Sequence, residues 1–205
     1  MTREEESAVI LRVQQGDANA FEALVTAYQK QVYNLALRTV GNPEDAADLS
    51  QEAFLRAYRS IASFRGDSKF SVWLYRLTTN ICIDFLRSRG RKPTVSLTVE
   101  GDDEETEELD VADERYDPEE NFQRAELQRA VQRGLNTLPE EFRTILILRE
   151  LEGMSYAEIG EILHLEEGTV KSRLFRARSR LCEFLKQDGN LPDAYASKTR
   201  KGGAK

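Results

Sequence analysis

With two cysteines and one histidine in 205 residues, the chain lacks the side chains that several kinds of protein depend on. Cys82 and Cys182 lie far apart in the sequence, and neither has a partner at metal-ligand spacing. With His164 alone they cannot assemble a zinc site. No second histidine is available as a general base, and no glycine-rich loop has the spacing that cradles phosphate, so an enzyme is the least supported class. No apolar run approaches the roughly 20 residues needed to cross a bilayer. The chain also does not open on a signal peptide, so the expectation is a cytoplasmic protein without membrane insertion. Alternating runs of Val, Ile and Thr are equally scarce. What remains is a chain that is 32% charged and 40% hydrophobic, which predicts an all-α fold with room for two small domains.

The formal net charge of −7 is unevenly distributed. Residues 99–117 hold eleven carboxylates against the single cation Arg115, so the rest of the chain carries a small positive excess. A block this acidic repels itself and contains almost nothing that could form a core. Residues 91–117 therefore read as a flexible linker between residues 1–90 and residues 118–187. Asp117 followed by Pro118 has the form of a helix N-cap with proline at the first helical position. Residues 188–205 read as a disordered basic tail that adds non-specific phosphate contacts.

Four helices are expected before the linker. Thr2 and Glu5 form a capping box ahead of Val9, Ile10 and Val13. Gly16-Asp17 breaks that helix and caps a longer one carrying Phe21, Leu24, Val25, Tyr28, Val32, Leu35 and Ala36. Gly41-Asn42-Pro43 then ends one helix and caps the next, which runs to about residue 62 with Ala46, Ala53, Ala57 and Ile61 facing inward. After a turn at Phe64–Ser68, a final helix covers about 69–89 with a core stripe of Phe70, Leu74, Leu77, Ile81 and Phe85. A second stripe about 100° away holds Trp73, Arg76, Asn80, Asp84 and Arg87. Rings interleaved with Arg and Asn on an exposed face suit single-stranded nucleic acid. On spacing alone, Trp73 as a core residue and Arg76 in a surface ion pair remain open.

Beyond the linker, residues 153–180 read GMSYAEIGEILHLEEGTVKSRLFRARSR. Ser155 and Glu158 form a second capping box, and Tyr156, Ile159 and Leu163 fall on one face. His164 stands where a turn begins and a left-handed backbone is commonly needed. In the following helix, regular from Thr169, the buried stripe is Val170, Leu174, Ala177 and Leu181. The opposite face carries Ser172, Phe175, Arg176 and Ser179, flanked by Lys171, Arg173, Arg178 and Arg180. Short polar groups ringed by cations suit base-edge contact with phosphate clamping, as in a helix-turn-helix whose second helix enters the major groove. A merely solvated basic helix is the competing reading.

Three runs in this order, DLSQEAFLRAY, FRGDSKFSVWLYRLTTNICIDFLRSRGRK and LPEEFRTILILRELEGMSYAEIGEILHLEEGTVKSRLFRARSRL, resemble bacterial RNA polymerase sigma factors of the extracytoplasmic-function group, of the sigma-E/sigma-W kind. The resemblance spans residues 5–186 apart from the linker. It implies two helical domains, the second a three- to four-helix helix-turn-helix domain. The implied function is to bind core RNA polymerase and direct promoter-specific initiation in an extracytoplasmic or stress response, with no cofactor and no metal. The implied partners are the beta-prime clamp helices, the beta flap, promoter DNA both duplex and melted, and an anti-sigma factor.

Carried onto this sequence, the resemblance puts clamp binding on Asp48, Gln51, Glu52 and Arg56. It puts the minus-ten element on Phe64, Arg65, Lys69, Trp73, Arg76, Asn80, Asp84 and Arg87, with the 64–68 turn and Asn80 matching a pocket for a flipped base. The minus-thirty-five element falls to Thr169, Lys171, Ser172, Arg173, Phe175 and Arg176. The chain departs from the family at Gly160, where alanine is usual, and at His164, where glycine or a small polar residue is common. An ordinary duplex-binding regulator with a dimerising first domain stays open as the alternative. The acidic linker could screen basic surfaces by mimicking nucleic-acid charge, or be an inert spacer.

Overall fold

The computed structural model describes residues 1–91 and 118–189, with side chains over 1–89 and 125–189. Residues 92–117 and 190–205 lie outside it, and with them the acidic linker, the question of its screening role, and the basic tail.

All regular structure among the described residues is helical: α1 (Arg3–Gln14), α2 (Phe21–Val40), α3 (Pro43–Ser60), α4 (Phe70–Arg91), α5 (Pro118–Thr137), α6 (Glu140–Leu146), α7 (Tyr156–Leu163) and α8 (Glu167–Gln187). The caps follow the sequence closely. Thr2 and Glu5 close a reciprocal capping box at α1, Ser155 and Glu158 do so at α7, and the Asn42 side chain accepts from the Asp45 N–H with Pro43 at the first helical position. Gly41 ends α2 in the left-handed region at φ 77°.

Four details differ from expectation. Asp17 caps a short 3-10 turn (Ala18–Ala20) before α2, and a second 3-10 turn (Ile61–Ser63) follows α3. Helix α8 begins two residues before Thr169, at Glu167. Helix α6 runs into one π turn (Ile147–Leu151), where the Glu152 N–H bonds back to the Ile147 carbonyl and re-aims the chain.

Helices α2, α3 and α4 pack together with α1 laid across them, and α5, α6, α7 and α8 form a second unit. Ala46, Ala53, Ala57 and Ile61 are buried as the pattern requires. The sequence implied a flexible linker between the two units and carried no expectation of how they meet; in the structure they abut, and the buried apolar residues form one cluster running through both. The reason lies in α4, which is buried on two faces. Phe70, Leu74 and Ile81 face α2 and α3, while Val72, Tyr75, Thr79 and Cys82, at helical i, i+3, i+7 and i+10 spacing, form the second buried face. Helix α7 packs against α4 as well.

The helix-turn-helix turn is unusually tight for its residues. His164 takes the left-handed conformation at φ 54°, ψ 48°, as its position suggested, and both its N–H and that of Leu165 bond to the Gly160 carbonyl. A Cβ on Gly160 would sit 2.6 Å from the Leu165 carbonyl oxygen. The backbone after the left-handed residue thus closes over residue 160, and only glycine fits there without a shift. Gly160→Ala is expected to lose stability by about 1 kcal/mol, since overpacking costs about 1–3 kcal/mol and exceeds the gain in helix propensity. Thermal denaturation reads this directly, and an unchanged or higher Tm would contradict it.

Candidate functional site

Helix α8 presents its outward face to solvent. Val170, Leu174 and Ala177 are buried against the rest of the second unit, which fixes the rotation of the helix. Phe175 consequently stands out, 72% exposed, the most exposed large apolar side chain among the described residues. Several surrounding cations are drawn back against the protein. Arg173, half-buried, pairs with Glu141 at 3.0 Å. Arg178 Nε donates to Glu150 at 2.9 Å, and Arg180 lies over the Phe142 ring at 4.7 Å. Lys171 is 3.7 Å from Glu167 and sits over Tyr156. Arg176 has no such partner among the described residues. Ser172 is exposed, its hydroxyl donating to the Thr169 carbonyl, and Thr169 is half-buried. The face therefore carries one free guanidinium, one exposed ring and the exposed hydroxyls of Ser172 and Ser179, framed by tethered cations. That inventory can read base edges and hold phosphates.

The turn before α4 and the helix itself place the other candidates. Phe64 is half-buried, its ring 5.6 Å from Phe70 and 5.3 Å from Trp73. Trp73 corrects the sequence reading: it is only 7% exposed and is stacked 5.5 Å from Phe70, not displayed on an outer stripe. The cause is spacing, because residue 73 lies one turn from Phe70 on a helix buried on two faces. Arg76 is half-buried, while Arg65, Asn80, Asp84 and Arg87 are exposed. Between α1 and this turn lies a cavity of about 310 Å³ lined by Glu6, Ser7, Tyr28, Phe64, Lys69 and Phe70 among others, large enough for a nucleobase. Tyr28 donates to Glu6 there, and burial followed by that carboxylate pushes the phenol pKa up.

On α3, Asp48, Gln51 and Arg56 are exposed and Glu52 half-buried, with Arg56 Nε donating to Glu52 at 2.6 Å. Leu55 and Tyr58 are exposed beside them, which the sequence pattern did not single out. Cys82 is buried, which pushes its thiol up to about 12, and Cys182 is half-buried; both are free.

Two cations of the α4 region are engaged by the second unit. Lys69 Nζ is 2.8 Å from Glu158 Oε1, and Arg87 Nη2 is 3.2 Å from Glu140 Oε1. Sequence reasoning also missed Arg143, whose guanidinium donates to the carbonyls of Leu135, Asn136, Leu138 and, across the seam, Thr39. The sequence carried no local signal for this, because Arg143 lies in the last turn of α6, where a cation is ordinary, and its partners are set by the tertiary fold. Glu158 is held down to about 2, chiefly by the Lys69 hydrogen bond and then by the Ser155 N–H. Because the folded value is depressed, its contribution is present above the ordinary 4.5 and is lost as pH falls through about 2. The Tm advantage of the wild type over Glu158→Gln should therefore shrink on acidification across that window. A gap independent of pH would contradict the assignment.

The Sigma-70 region 2 family model matches residues 24–92, and the Sigma-70 region 4 model matches residues 128–181. The chain is 40% identical over 185 residues to the RNA polymerase sigma-H factor of Pseudomonas aeruginosa, covering 90% of this chain and 96% of that one. It is 44% identical over 176 residues to the ECF RNA polymerase sigma-E factor of Haemophilus influenzae, covering 84% and 91%. Two solved structures share the fold at 24% identity. CnrH in complex with the cytosolic domain of CnrY has a TM-score of 0.65 over 90% of this chain and 99% of that one. The sigma factor RpoE in complex with the anti-sigma factor NepR from Bartonella quintana has a TM-score of 0.60 over 81% and 96%. The chain belongs to the extracytoplasmic-function group of sigma-70 RNA polymerase sigma factors. It binds core RNA polymerase and directs promoter-specific initiation, so the independent duplex-binding regulator does not stand.

Proposed function

We propose that this sigma factor divides its work between two domains, residues 1–90 and 118–187, joined by the 91–117 segment, and that it acts in the cytoplasm in an extracytoplasmic or stress response. No helix among the described residues is long and apolar enough to cross a membrane. Asp48, Gln51, Glu52 and Arg56 meet the beta-prime clamp helices, with exposed Leu55 and Tyr58 at hand to supply the apolar contact. Phe64, Arg65, Lys69, Arg76, Asn80, Asp84 and Arg87 handle the melted minus-ten strand. Trp73 backs Phe64 from beneath and does not itself act as a stacking platform. Thr169, Lys171, Ser172, Arg173, Phe175 and Arg176 read the minus-thirty-five duplex, while the second domain docks on the beta flap. The factor transfers no chemical group of its own. An anti-sigma protein is its expected antagonist; RpoE was solved with such a partner.

The observation that carries this reading is the outward face of α8, with Phe175 and Arg176 displayed on a rotation fixed by the buried Val170–Leu174–Ala177 stripe. The clamp assignment is tested separately. Replacing Asp48, Gln51 and Glu52 together by alanine should weaken binding to core polymerase at least about tenfold, the loss of a few interface contacts at 1.4 kcal/mol per decade. Duplex binding by the free chain should not change. Equal loss of both activities would point to misfolding and not to a clamp surface.

A further inference from the structure

We propose that Glu141 and Glu150 mask charge on the duplex-reading helix. Each neutralises one flank arginine of α8, which limits the sequence-independent hold of the chain on DNA and leaves discrimination to the centre of the face. This rests on the assignment of α8 to the minus-thirty-five duplex.

Five cations lie between residues 171 and 180, a density that by itself would make α8 an indiscriminate phosphate binder. The fold does not leave them all available. Arg173 and Arg178 are five positions apart, about 140° around the helix axis, so they leave α8 on either side of the buried Val170–Leu174–Ala177 stripe. Helix α6 packs against α8 and, with the π turn that continues it, supplies an acid to each flank. Glu141, in the first turn of α6, is 3.0 Å from Arg173. Glu150, in the π turn, accepts from Arg178 Nε at 2.9 Å and from its Nη2 as well.

Phosphates pass along the flanks of a helix lying in the major groove, while Ser172, Phe175 and Arg176 at the centre face the base edges. Sequence-independent affinity grows with the positive charge brought to those phosphates, because each added cation releases counterions. An arginine already paired with a carboxylate brings no net charge. Drawing it onto a phosphate would also leave its acid exposed to the same backbone. Ion pairs this exposed add little to folding, so their larger consequence is on binding.

The test uses the full chain without polymerase. Glu141→Gln with Glu150→Gln removes both masking charges and preserves side-chain size. Glu22→Gln with Glu44→Gln, at exposed positions of α2 and α3, changes the net charge equally and serves as the control. Each protein is titrated over a range of salt with two duplexes. One has random sequence, and the other carries the minus-thirty-five element of a promoter that the wild-type holoenzyme transcribes. At about 0.1 M salt the E141Q/E150Q chain should bind both duplexes about tenfold more tightly than the control does. Its log–log salt slope should be steeper by about 1.8, which is about 0.9 for each unmasked cation. The affinity ratio between the duplexes should not change, since the base-reading groups are untouched. Glu141→Asp with Glu150→Asp retains both charges and should keep the wild-type slope. A slope equal to the control's would overturn the masking. Weaker binding confined to the minus-thirty-five duplex would overturn it too, and would make the two acids supports for base contact. Absence of duplex binding by every chain would instead overturn the reading of α8. Retention on heparin, a polyanion without bases, would then still decide the masking: later elution of E141Q/E150Q than of the control supports it, and equal elution overturns it.

Discussion

Arg143→Ala should be the most destabilising single surface-accessible change in the protein, costing about 3 kcal/mol. The guanidinium reaches four carbonyls at 2.8–3.3 Å: Leu135, Asn136 and Leu138 around the end of α5, and Thr39 near the end of α2. Carbonyls at helix C-termini have no intrahelical partner, and a cation there satisfies them and matches the dipole. Hydrogen bonds from a charged group contribute about 1.5–3 kcal/mol each, but the site is half-buried and water would replace part of the loss. A net of about 3 kcal/mol corresponds to a Tm decrease of about 6–12 °C in a chain of this size. Arg143→Lys should rescue little, because a single ammonium cannot span carbonyls from two helix ends. Calorimetry and urea denaturation measure both variants; a change within about 0.5 kcal/mol would show that the fan of bonds is not what holds α5, α6 and α2 together.

Arg176→Ala should weaken binding to the preferred minus-thirty-five duplex by about 10- to 100-fold, and the loss should be confined to one base pair. Its guanidinium is unengaged among the described residues, so it is free for a bidentate contact of the kind arginine makes to guanine, about 1–3 kcal/mol of discrimination. Phe175→Ala should also lose affinity, because a ring exposed at 72% beside that arginine offers an apolar surface to a thymine methyl. Lys171→Ala should behave differently, weakening every sequence alike and reducing the salt slope by about one. Binding titrations against single-base variants at two salt concentrations separate the patterns. Uniform loss in all three variants would reduce α8 to a phosphate-binding helix.

Much of the local structure was legible because it is written in short-range chemistry. The capping boxes at Thr2 and Ser155, the Gly41-Asn42-Pro43 break and the left-handed His164 each depend on residues within a few positions of one another. The outward face of α8 was legible for the same reason, since the buried Val170, Leu174 and Ala177 fix its rotation. What was not legible depends on partners far along the chain. Lys69 and Glu158 are 89 positions apart, and Arg143 and Thr39 are 104 apart. A single helical stripe also could not reveal that α4 is buried on two faces, which is why Trp73 and Tyr75 are covered by their surroundings. The π turn after α6 likewise has no short-range signal in Ile147–Leu151.

The most direct measurement is transcription in vitro by the purified chain with bacterial core polymerase, on a library of promoter fragments. The account predicts transcripts from a defined subset sharing a minus-ten and a minus-thirty-five element, lost when Asp48, Gln51 and Glu52 are replaced by alanine. Duplex binding with no polymerase-dependent initiation would contradict it.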